Sequence, residues 1–83
     1  MDGGLVMTTK EIEKYILDLK KDAMINGEKT ITIVAQDIAD NLNIEKRFPM
    51  ICHAMYNCMT TDDEVIYAPP SGLSNKVEIK YYL

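Results

Sequence analysis

The chain of 83 residues has no tryptophan and a single phenylalanine, Phe48. A core built on Trp and Phe is therefore excluded, and the interior has to come mainly from Ile, Leu, Val, Met and Tyr. No apolar run approaches the roughly 20 residues that cross a bilayer, so no membrane span is expected. The opening MDGGLVM lacks the basic and apolar stretches of a signal peptide. Only two cysteines occur, Cys52 and Cys58, both on one predicted helix. Six helical residues hold their Cα atoms roughly 9 Å apart, too far for a disulfide. Reduced thiols suit an intracellular protein, and the expected address is the cytoplasm.

Positive charge is also scarce. Nine Lys and Arg face thirteen Asp and Glu, for a net charge of -4. The chain as a whole is repelled by a polyanion, so nucleic-acid binding requires a local basic patch. Catalytic signatures are missing as well. There is no P-loop, no GxGxxG, no nucleophile elbow and no His–carboxylate–Ser set. A chain this short builds no deep cleft by itself, and the expectation is a protein that is not an enzyme and uses no cofactor.

What is present is one small globular domain. The hydrophobic share of 47% is ordinary for a folded chain. A domain of this size buries only about 60% of its unfolded surface, so its stability margin is thin and dimerisation would help it. Residues 1–7 read as a flexible N-terminal arm and residues 8–83 as the domain.

Thr8 and Glu11 make a T-x-x-E capping box, with Met7 and Ile12 as a hydrophobic staple. Ile12, Tyr15, Ile16, Leu19 and Ala23 then recur along one helical face. Glu11, Lys14, Asp18, Lys21 and Asp22 take the other. Asn26-Gly27 stops this helix. The alternating KTIT of Lys29–Thr32 predicts a short strand. A second helix follows over about Ile33–Leu42, with Thr32 as N-cap. It turns Ala35, Ile38, Ala39 and Leu42 inward and Gln36, Asp37, Asp40 and Asn41 outward. Asn43 supplies a left-handed turn and Ile44 plugs that turn into the core.

A third helix is predicted to start between Arg47 and Pro49, since proline suits a first helical turn. An earlier start at Glu45 leaves its faces unchanged. Phe48, Ile51, Cys52, Met55 and Met59 line its inner side. Met50, His53, Ala54 and Asn57 line the outer one. Two strands end the chain, Glu64–Ala68 and Lys76–Tyr82, with Val77, Ile79 and Tyr81 facing inward. Pro69, Pro70, Ser71, Gly72, Ser74 and Asn75 form the loop between them.

Helix, strand, helix, turn, helix, hairpin is an α+β order. It resembles the winged helix-turn-helix superfamily from about Thr8 to Leu83, with the turn-helix LNIEKRFPMICHAM as its centre. The resemblance implies an α1-β1-α2-α3-β2-β3 winged helix with a small antiparallel sheet. It also implies a third helix (about 47–59) set in a DNA major groove and a wing loop, 69–76, at an adjacent groove or the backbone. On this chain the DNA-binding positions would be Lys46, Arg47, Met50, His53 and Asn57 on the helix. On the wing they would be Ser71, Ser74, Asn75 and Lys76. The expected role is double-stranded DNA binding in transcription regulation by a homodimer, joined through the first helix and Leu5, Val6 and Met7. The alternative is an acidic interaction module whose partner is a protein, favoured by the net charge and by an outward Met50 and Tyr56.

Two further clusters carry less chemistry. Cys52, His53 and Cys58 make no zinc site: Cys52 and His53 point about 100° apart on the helix, and there is no fourth ligand or C-x-x-C spacing. Asp62, Asp63 and Glu64 read as a solvated turn with too few converging oxygens for a hard cation.

Overall fold

The computed structural model describes residues 8–44 and 47–83. Met7, Glu45, Lys46 and the 1–7 arm, with the staple and dimer contact expected there, lie outside the described residues. The elements are α1 (Thr9–Ile25), β1 (Thr30–Val34), α2 (Ala35–Leu42), α3 (Phe48–Asn57), β2 (Glu64–Tyr67) and β3 (Glu78–Tyr82). The sheet is antiparallel in the order β1-β3-β2. This is an α+β domain compatible with a winged helix.

Local chemistry sets α1. The Thr8 side chain accepts from the Glu11 N–H at 3.2 Å, and the Glu11 carboxylate accepts from the Thr8 N–H at 2.9 Å. Ile12, Ile16 and Ala23 are buried, with Tyr15 and Leu19 half-buried beside them. At the far end Gly27 takes a φ of 85°, a conformation that favours glycine. There the Gly27 N–H donates to Met24 O and the Glu28 N–H to Ala23 O, which closes the helix.

The junction of β1 and α2 departs from the sequence reading. The strand does not stop at Thr32 but runs to Val34, and α2 begins at Ala35. Thr32 is therefore a strand residue and not the cap; Val34 takes the N-cap position with no side-chain bond. The cause lies far along the chain. β1 pairs rung by rung with β3, from Thr30 opposite Tyr82 to Val34 opposite Glu78. The Ala35 N–H then donates to Val77 O (2.9 Å) and the Gln36 N–H to Asn75 O (3.0 Å). Donors that open a helix need partners, and here a distant loop supplies them. The closing strands are also shorter than read: β2 ends at Tyr67 and β3 starts at Glu78.

The turn from α2 to α3 follows the sequence. Asn43 is left-handed at φ 56°, the Ile44 N–H donates to Ala39 O at 2.9 Å, and Ile44 is buried. The core joins Ile12 and Ile16 of α1, Ile38 of α2, Ile51, Cys52 and Met55 of α3, and Val77, Ile79 and Tyr81. Tyr81 is fully buried, and its hydroxyl donates to Met55 O at 2.7 Å. That bond ties the last strand to the third helix, and burial pushes the phenol well above its ordinary range.

Candidate nucleic-acid interface

α3 opens at Arg47, which holds the N-cap position without a side-chain cap bond, and Pro49 sits in its first turn. Ile51, Cys52, Ala54 and Met55 are buried. Ala54 was expected on the outer side and instead lies in the core. α3 packs against both α1 and α2, so a wider arc of it is covered than one apolar stripe suggests. The exposed side is a narrow line of Pro49, His53 and Asn57, each four residues from the next, with Arg47 exposed at its start. Pro49 was not among the sequence candidates, although its spacing from His53 places it on their line.

The eight candidate residues that are described divide into exposed and engaged groups. Arg47, His53 and Lys76 are exposed. Met50 is half-buried and packs against the core, so the outward Met50 of the sequence reading is corrected to one at the margin. Asn57 is exposed, but its amide donates to the Glu13 carboxylate of α1 at 2.9 Å. Lys46 lies outside the described residues.

The wing positions are tied down to differing degrees. Ser71 is exposed and its hydroxyl bonds the backbone of Leu73. The Ser74 hydroxyl accepts the Lys76 N–H at 3.0 Å and donates to the Asn75 side-chain oxygen at 3.3 Å. The Asn75 amide donates to the Gln36 side-chain oxygen at 3.0 Å, and Gln36 in turn donates to Asp40 at 2.9 Å.

The loop is docked at Gly72 and Ser74, while Pro70, Ser71 and Lys76 stay exposed. The Tyr56 hydroxyl donates to Gly72 O at 2.8 Å, and the Cys52 thiol donates to Ser74 O at 3.3 Å. Tyr56 is half-buried by this contact and not the outward residue expected. Leu73 packs on the core beneath the loop. Sequence alone gave no sign that Gln36, Cys52 and Tyr56 would hold the wing, because each lies on an element read as separate from it.

Charge is divided across this face. Arg47 and Lys76 are the exposed cations among the described candidates, while Asp37 and Asp40 are exposed on α2. Lys80 is engaged within the sheet. It sits opposite Glu64 in the sheet, with its ammonium 5.4 Å from the Tyr82 ring centroid. Both cysteines are free, and burial raises both thiols above their ordinary range. Among the described residues no group of three or more His, Cys, Asp or Glu could hold a metal ion. No described helix is long and apolar enough to cross a membrane. No family model, no curated protein and no solved structure matches this chain.

Proposed function

We propose that the chain is a winged-helix protein that binds double-stranded DNA through α3, in transcription regulation and as a homodimer. The observation that carries this reading is the exposed line of Pro49, His53 and Asn57, with Arg47 exposed at the N-cap, on a helix whose opposite side is buried. A rigid helix with one open side is what a major groove admits. His53 faces base edges, Arg47 and Lys76 meet phosphates, and exposed Ser71 adds a hydroxyl contact at the wing. The docked loop holds Lys76 beside the start of α2, so the phosphate contact is positioned before DNA arrives.

The net charge of -4 keeps the affinity modest. The alternative, a protein-interaction module using this same face, has less to work with. Met50 is half-buried and Tyr56 is spent on Gly72.

Titration of the chain into a random-sequence duplex at falling salt tests the reading. Binding should rise steeply, with a slope of about -0.9 per phosphate neutralised. Arg47→Ala should reduce that slope by about 1. No binding at the lowest salt would remove DNA as the partner, and an unchanged slope would remove Arg47 from the site.

A further inference from the structure

The strand β2 stands apart from the rest of the molecule. All four of its residues are exposed, and its packing is almost wholly against β3. Val65, Ile66 and Tyr67 are 41%, 48% and 49% exposed, and neighbouring Tyr82 is 45% exposed. In the order β1-β3-β2 it is an edge, and among the described residues no strand pairs with its outer side. An edge strand turns alternate N–H and C=O groups outward, ready for another chain.

A bulge shapes this edge. Val65 stands opposite Ile79 and Tyr67 opposite Glu78, so Ile66 is the extra residue between them. Ile79 faces the core and its sequence neighbour Glu78 faces the other side. Val65 and Tyr67 therefore lie on opposite sides of the sheet, where an unbulged strand would place them together. The edge thus offers apolar contact on both of its sides.

At the start of β2 an open recess of about 490 Å³ is lined by Asp62, Asp63, Glu64 and Tyr82. Asp63 is fixed there, accepting the Tyr82 and Thr60 N–H groups at 2.8 Å each. The nearby cations are Lys20 and Lys80. Lys20 bonds Cys58 O at 3.3 Å and lies over the Tyr81 ring, while Lys80 lies over the Tyr82 ring.

We propose that the β2 edge captures an extended segment of a partner protein by strand addition, with a basic side chain of that segment seated in the Asp62–Asp63–Glu64–Tyr82 recess. Charge selects the occupant. Both Asp63 oxygens accept backbone N–H groups and Lys80 lies over the Tyr82 ring, so Asp62 and Glu64 at the mouth of the recess supply the attraction for a lysine or arginine, and a net charge of -4 favours a basic partner. A second copy would bring the same three carboxylates and the same net charge. The bulge, with Pro69 and Pro70 just beyond Tyr67, keeps the pairing short. A short edge captures one segment and does not propagate into a growing sheet. This inference does not depend on DNA binding by α3, because the two sites share no residue.

The test is amide chemical-shift mapping of the isotope-labelled full chain. The probe is an acetylated nine-residue peptide alternating lysine and valine. Saturable shifts should centre on Glu64, Val65, Ile66, Tyr67 and Tyr82. A version of the peptide N-methylated at every backbone amide, which keeps its lysine ammonium groups but has no backbone N–H to donate, should bind on the order of tenfold more weakly, as should the parent peptide to Asp62→Lys. Ile66→Lys, at an exposed position, should bind weakly while keeping the unbound spectrum otherwise intact. Four results would overturn the proposal. They are no saturable shift at about 1 mM peptide, equal binding of a glutamate–valine peptide, shifts centred on α3, or concentration-dependent shifts of the β2 amides without peptide. The last would give the edge to a second copy.

Discussion

β2 and β3 belong to one hairpin and have similar composition, yet they live in different environments. Val65 and Ile79 occupy the same rung and face the same side of the sheet. Ile79 is 0% exposed and Val65 is 41% exposed. The helices rest on β1 and on the side chains of β3, and β2 extends past them. Strand propensity decides that both segments are extended. Position relative to the helical layer decides which one carries stability and which one is left open for a partner.

The sharpest way to break this comparison is truncation on the shared rung. Ile79→Ala should cost about 2–5 kcal/mol in chemical denaturation, because it empties a closed site. Val65→Ala should cost under about 1 kcal/mol, since water already reaches that side chain. Equal losses would mean that β2 is covered after all.

A second, smaller effect concerns the bond that joins the hairpin's two ends. Burial alone would raise the Asp63 carboxyl. The Tyr82 and Thr60 N–H groups, aided by Lys20, outweigh it and hold the carboxyl below its ordinary range. A group depressed in the folded state adds stability above its unfolded pKa and loses it as pH falls through the folded one. Wild type should therefore exceed Asp63→Ala by about 1 kcal/mol near neutrality, a figure discounted for solvent screening. The gap should close below about pH 4. A gap independent of pH would assign the loss to packing. The smallest effect belongs to the bulge: Ile66→Thr should shift stability by less than about 0.5 kcal/mol in the same denaturation. A larger loss would show that Ile66 is more than a surface residue.

Much of this architecture was legible in the sequence where neighbours in the chain settle the matter. The capping box, the apolar face of α1, the Asn26-Gly27 stop, the Asn43 turn and the inward Val77, Ile79 and Tyr81 all depend on residues within a few positions of each other. The β1–α2 boundary was not legible, because Val34 is held extended by Glu78 and Ala35 is capped by Val77. Ala54 looked external because one apolar stripe was counted, whereas α3 is covered from more than one side. The candidate DNA face was legible only in outline. Arg47 and His53 stand exposed, but Asn57 and Asn75 are engaged by Glu13 and Gln36.

The sequence by itself determined the order of helices and strands, the start and stop of α1, and the turn after α2, but not the boundary between β1 and α2. Those outcomes follow from dihedral preferences and from contacts three or four residues away. The fold alone decided which polar groups remain available to a ligand. Asn57 meets Glu13 across 44 positions and Asn75 meets Gln36 across 39, pairings that exist only after the elements pack. The open edge of β2 has the same origin, because whether a strand is covered depends on how far the helical layer reaches.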